Sequence, residues 1–173
     1  MATNDNMTSK SGSTQKIATY GMMVALALIM SYIEAQIPAL IAVPGMKLGL
    51  TNIVVVVALY VLGSKSAMFI NIIRILLVSF LFGSATSFAF SIAGGMLSTI
   101  LMIVLKKTGK FSTIGVSAAG GITHNIGQIL VAILLLHTRA IAWYLPILWI
   151  SGIISGVVIG IIAGIVTSRL AKD

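Results

Sequence analysis

Long apolar runs, separated by short polar or glycine-proline interruptions, organise this chain. Six of them stand out, at about 17–33, 48–63, 66–83, 86–106, 113–137 and 141–168. A bilayer core of about 30 Å takes roughly 20 apolar residues per helical crossing. The six runs therefore predict six membrane-spanning helices. The second is short, and its boundary with the third rests on "GSKS" at 63–66. Runs such as "IVVVVALYVL" and "ILMIVL" are apolar at every position rather than every second one, which excludes the strands of a membrane barrel. Helices are the other spanning solution that satisfies every backbone group. The expected fold is an all-α integral membrane protein, six helices in a compact bundle over residues 17–168. Residues 1–16, "MATNDNMTSKSGSTQK", are too poor in apolar side chains to pack and read as a disordered cytoplasmic tail, with 169–173 as a second tail. Lys10 and Lys16 precede an apolar run in the manner of a signal peptide. That run is too long for a signal core and lacks a small-x-small site after it, so it reads as a retained first helix.

Composition agrees with this pattern. The chain is 58% hydrophobic and 8% charged, with mean hydropathy +1.13. A soluble domain carries about a quarter of its residues as charges. Placing the N-terminus inside puts Lys10, Lys16, Lys65, Lys106, Lys107, Lys110, Arg169 and Lys172 on the cytoplasmic side. Only Lys47 and Arg139 then lie outside, and Arg74 falls within a span. This excess of cytoplasmic cations predicts both termini inside. The net charge of +8 is scattered among apolar runs and makes no basic face, so nucleic acid is not an expected partner. With no cysteine there is neither a disulfide framework nor a thiolate metal site.

Helices in lipid gain nothing from hydrophobic attraction to one another, so small residues that let backbones approach mark their contacts. The last run carries Gly152, Gly156, Gly160 and Gly164 at four-residue spacing, beside Ser151 and Ser155. That ladder predicts packing within the bundle, as do Gly94 and Gly95 in the fourth run and Gly120, Gly121 and Gly127 in the fifth. Gly21 and Ala25 repeat the spacing in the first run and fit either an internal crossing or a surface for a partner.

Against this apolar background a few polar residues stand out. Arg74 lies in the middle of "AMFINIIRILLVSFLFG", with Asn71 one turn earlier on the same face. An ionisable side chain at that depth costs roughly 3 kcal/mol on insertion scales and marks a protein-facing or functional position. The stretch "GGITHNIGQ" (120–128) adds His124, Asn125 and Gln128, His124 and Gln128 being four apart, and Asn52 falls in the outer half of the second span. Between the first two spans "EAQIPALIAVPGMKLGLTN" (34–52) holds Pro38, Pro44 and Gly45, which break any continuous helix. Residues 34–47 suit a lid over an outward-facing cavity, with Lys47 at its edge. Single polar residues in spans commonly serve helix-helix hydrogen bonds, worth only about 0.6 kcal/mol each. A whole cluster points instead to a pocket. Its expected substrate-binding set is Lys47, Asn52, Asn71, Arg74, His124, Asn125, Gln128 and Glu34. Glu34 fits two roles, a structural counter-ion for Lys47 or Arg74 and a ligand contact. The surplus of positive groups favours an amphiphilic substrate with an anionic head.

Catalytic sets are missing from the sequence. No acid in the spans orients His124 as in a Ser-His-Asp arrangement. No aspartate-rich cluster is present to hold magnesium and a diphosphate, and no Walker-type glycine loop to hydrolyse ATP. The expectation is a binding protein without cofactor, metal or catalytic residue of its own. Internal inverted repeats, the mark of many stand-alone secondary transporters, are not evident.

Two motifs, "PGMKLGLTN" (44–52) and "THNIGQ" (123–128), resemble the signatures of the small bacterial membrane proteins called Gx transporters, a family also labelled heptaprenyl diphosphate synthase component I. The resemblance covers about residues 17–168. The family is similar to the substrate-binding S-components of energy-coupling factor importers. The resemblance implies a multi-pass protein of the bacterial cell membrane that partners with a transmembrane coupling subunit and two cytoplasmic ATPases. It also implies docking through small residues four apart on the first helix, here Gly21 and Ala25. A component of prenyl diphosphate synthesis, as the alternative label implies, is the second reading.

Overall fold

The computed structural model describes residues 4–36 and 49–170, and every regular element among them is helical. In chain order these are α1 (Asn4–Gln36), α2 (Asn52–Val61), α3 (Ser64–Phe82), α4 (Ala85–Thr108), α5 (Thr113–Leu136) and α6 (Leu145–Leu170), with a short 3-10 segment Arg139–Tyr144 leading into α6. Five of the helices contain a stretch long and apolar enough to cross a bilayer. The chain is thus a multi-pass membrane protein.

Two expectations change. The second run forms only ten helical residues, about 15 Å, or half a bilayer. Its β-branched valines pack well in the interior, but the chain before Asn52 turns instead of continuing the helix. Asn52, Ile53 and Val54 donate to the carbonyls of Gly49, Leu50 and Thr51, bonds that close tight three-residue turns. Gly49 has φ +81°, a conformation that admits glycine and few other residues. The first helix also starts at Asn4, inside the segment expected as a tail. No proline stops it, and a helix nucleated in the span propagates backwards at little cost. The proposed lid and Lys47 lie outside the described residues, except for Glu34, Ala35 and Gln36 at the end of α1.

Local chemistry sets the remaining boundaries close to where the runs end. Ser84 and Ser112 cap α4 and α5 by accepting from the backbone N–H of Ser87 and Gly115. Gly63, at φ +89°, reverses the chain between α2 and α3. Two tilted aromatic contacts show that α1 and α3 run parallel. The Tyr20 ring lies 6.0 Å from Phe69 near the start of α3, and the Tyr32 ring 5.6 Å from Phe82 at its end. Short connections then reverse direction at each of α4, α5 and α6, so α1 begins at the end of the bundle where α6 finishes.

The half-length α2 occupies the centre. Val54 to Leu59 are all buried, and α1, α3, α4 and α6 contribute to the surrounding core through Met23, Ala27, Ile70, Met102, Ile159 and Ala163. Both ends of α2 meet opposite charge. Glu34 sits at its N-terminus, and Lys106 Nζ donates to the Leu59 carbonyl at its C-terminus while lying 4.9 Å over the Tyr60 ring. An acid at the start and a base at the end of a helix both oppose its dipole favourably.

Glycines seat α5 between α4 and α6. A Cβ at Gly121 would lie 2.2 Å from the Gly152 carbonyl oxygen, and one at Gly156 2.6 Å from the Ala118 Cα. On the other side, a Cβ at Gly127 would lie 2.8 Å from the Ala93 backbone. Gly152, Gly156 and Gly160 therefore do pack within the bundle, whereas a Cβ at Gly164 would meet none of the described residues. Gly21 and Ala25 behave differently. Both are exposed, and the inward face of α1 is carried by Met23, Ala27, Ser31 and Glu34.

Candidate functional site

Ten residues into α3, about 15 Å along its axis, the buried Arg74 comes level with the first residue of α2. Its Nε donates to Asn71 Oδ1 at 2.9 Å and its Nη2 to Asn52 Oδ1 at 3.3 Å. Asn71 in turn donates to the Gly95 carbonyl and to Thr99 Oγ1, at 3.0 and 2.9 Å, which ties α3 to α4. Arg74 thus ends a chain of amides that joins α2, α3 and α4. The bare backbone at Gly95 lets α3 pack close, since a Cβ there would stand 2.8 Å from Ile75 Cδ1, while Arg74 Nη2 lies at ordinary contact distance.

His124 enters the same region from α5. Its ring packs on Gly94, where a Cβ would approach the ring atoms to 3.1 Å, and it borders Gly49, whose Cβ would stand 3.1 Å from Asn52 and 3.8 Å from the imidazole. Gln128 Nε2 lies 3.1 Å from His124 Nε2. An amide nitrogen only donates, so the ring nitrogen accepts. Gly49 therefore borders both Asn52 and the imidazole, and Asn52, bonded to Arg74, lines one cavity with His124.

Glu34 closes the cluster from α1. Its Oε1 accepts from the backbone N–H of Gly49 and, at 3.3 Å, of Leu50, and Oε2 accepts from Thr51 Oγ1 at 3.2 Å. Ser31 meets the Thr51 hydroxyl at 2.9 Å. Of the two roles left open for Glu34, the contacts fit a structural one: its negative charge attracts the Arg74 guanidinium without a direct bond, and its hydrogen bonds go to the residues that lead into α2. It caps the α2 N-terminus through neutral donors, at the place where the helix dipole is most positive. The expected pairing with Lys47 lies outside the described residues.

Asn125 does not join this group. Its Nδ2 donates to the Leu148 carbonyl at 2.6 Å and sits where a Cβ at Gly152 would come within 2.9 Å, so it fastens α5 to α6. Adjacent residues on a helix point about 100° apart, which is why His124 and Asn125 divide between two interfaces. Several hydroxyls that belong to the cluster carried no signal of their own: Ser31, Thr51 and Thr99. Serine and threonine can satisfy themselves on the preceding helical turn, as Thr123 does on Ala119 O, so a lone hydroxyl in a span says little. Ser31 lies three residues before Glu34, the spacing of one helical face, and that could have linked them.

The cluster joins one cation, one carboxylate, an imidazole and several amides at the middle of an apolar bundle. Such a set can bind and orient a polar group. Among the described residues no three His, Cys, Asp or Glu side chains come together as a metal site would need.

Against known families, the model of the one described as heptaprenyl diphosphate synthase component I matches residues 23–166. The chain belongs to that family. The match runs from the inward face of α1 almost to the end of α6, so it takes in every described residue of the Arg74–His124 cluster. No curated protein and no solved structure matches the chain.

Proposed function

We propose that this member of the heptaprenyl diphosphate synthase component I family is the substrate-binding subunit of an energy-coupling factor type importer of the bacterial cell membrane. It captures a small amphiphilic anion, such as a vitamin, a quinone precursor or an isoprenoid-like acid, from outside. The observation that carries this reading is Arg74, a buried guanidinium whose hydrogen-bond acceptors are the neutral amides Asn71 and Asn52. A guanidinium has five N–H donors, and charge in a low-dielectric interior gains most from an anion placed against it. The neighbouring amides and imidazole would fix the orientation of that anion, and the apolar helices would enclose its hydrocarbon part.

The rest of the molecule supports a passive subunit. The basic end of the bundle faces the cytoplasm, with N- and C-termini there, and α2 serves as a half-crossing whose N-terminus meets the ligand at mid-depth, an arrangement used at substrate sites in transporters with broken helices. Gly21 and Ala25 lie on the outward face of α1, where a coupling subunit linked to two ATPases could approach the backbone closely.

A second reading follows from the family description itself, a non-catalytic or catalytic component of prenyl diphosphate synthesis. One experiment separates the two. The protein is purified from its native membrane, and bound small molecules and partner proteins are identified by mass spectrometry, in parallel with Arg74→Ala. The importer reading expects an anionic small molecule that the variant loses, together with ATPase partners. Prenyl chain elongation that depends on this chain in a reconstituted assay, with no ATPase associated, would overturn it.

A further inference from the structure

A small cavity lies on the side of Asn52 and His124 away from the α2 N-terminus, enclosed by α2, α4, α5 and α6. Its polar lining comes from Asn52, Ser98, Ser117, His124 and Ser155, and Met102 and Ile159 contribute apolar wall. Its free volume of about 10 Å³ is close to the room that one water molecule occupies.

Ser98 gives this space its meaning. The residue is completely buried, and its Oγ has no hydrogen-bond partner among the described residues. A helical serine in an apolar setting ordinarily donates to the carbonyl four residues back, as Ser66 does to Leu62. Ser98 does not bond Gly94 in this way. Its hydroxyl is turned towards Gly120 across the α4–α5 crossing, where a Cβ would come within 3.1 Å of it, and Gly120 lines the same cavity. A hydroxyl left unbonded there costs more than its bond would gain, so a native packing that avoids the easy local bond implies another partner.

The surroundings decide what that partner is. Among the described residues no carboxylate lines the cavity, and the Asn52 oxygen already receives a bond from Arg74, so nothing in that lining favours a cation. A space of one water is too small for a larger anion. We propose that an ordered water occupies this cavity and bridges Ser98 Oγ to the Asn52 side chain, linking α4 to the first turn of α2. This proposal rests on packing alone and holds whichever function the cluster serves.

The test uses the full chain in detergent and compares its thermal midpoint with that of Ser98→Ala. In a dry cavity the substitution removes an unsatisfied buried hydroxyl, so the midpoint would rise or stay unchanged, which overturns the proposal. In a hydrated cavity it strips a partner from the water and lowers the midpoint by about 2–4 °C. Crystallographic density decides independently. A peak within about 3 Å of both Ser98 Oγ and the Asn52 amide supports the bridge, and an empty cavity refutes it.

Discussion

Arg74 and Glu34 are the two charges whose surroundings set the character of this bundle. Both are buried, yet neither rests on the other as a simple pair. Arg74 leans on amides, and Glu34 leans on the backbone at the start of α2. Glu34→Gln tests the second arrangement, because glutamine keeps an acceptor oxygen but withdraws the charge that faces the helix dipole. The expected loss is about 1–2 kcal/mol, seen as a lower thermal midpoint, with Glu34→Ala worse because both donors from Gly49 and Leu50 lose their acceptor. Equal midpoints for wild type and Glu34→Gln would show that the carboxylate acts as a hydrogen-bond acceptor alone.

Among elements, the crossing of α5 with α6 is the tightest, and its glycines differ in what they meet. Gly121 and Gly156 face backbone, whereas Gly164, on the same ladder, faces open space. Gly156→Leu should therefore force the helices apart, costing at least the 1–3 kcal/mol typical of overpacking, since backbone cannot step aside as a flexible side chain can. Gly164→Leu should leave the midpoint nearly unchanged. Comparable losses for both variants would mean that helix propensity, not helix-helix approach, governs this ladder. The short α2 depends on neighbours in another way. Lys106→Met removes both the donor to Leu59 O and the ammonium over the Tyr60 ring, and it should lower the midpoint while, under the importer reading, leaving ligand binding at the Arg74 cluster, at the far end of α2, intact.

At the scale of the whole molecule, α1 is the most weakly embedded helix, with Ile17, Met22, Leu26, Ile29, Tyr32 and Ile33 all turned outward beside Gly21 and Ala25. The double variant Gly21→Leu, Ala25→Leu should thus fold normally, because no neighbour among the described residues fills that space. Under the importer reading it should abolish association with the coupling subunit and uptake while sparing ligand binding to the isolated protein. A double variant that misfolds would place those residues inside the bundle. Orientation can be checked separately with cysteines on opposite ends of α5. An impermeant reagent added to intact cells should modify Thr138→Cys and spare Ser112→Cys, and the reverse pattern would invert the topology.

The sequence alone was enough to establish the membrane class, the helical fold and the limits of α3, α4 and α5 to within about two residues. Each of those rests on a local quantity: the length of an apolar run, a capping serine, a glycine at a reversal. It also located Arg74, Asn71, Asn52, His124 and Gln128 as unusual, because an ionisable or amide side chain within a span is costly wherever it packs. Only the tertiary structure decided that α2 is a half-length helix, since an unbroken valine run looks the same whether it crosses the bilayer or stops at its middle. It alone separated Asn125 from His124, its neighbour in sequence, and joined Glu34 to Gly49, fifteen positions away. It also divided one glycine ladder into rungs that touch backbone and a rung that touches nothing. The physical reason is the same each time. Desolvation and periodicity act on a residue through its own neighbours in the chain, but a partner across a helix crossing is fixed by packing angle and depth, which no local pattern encodes.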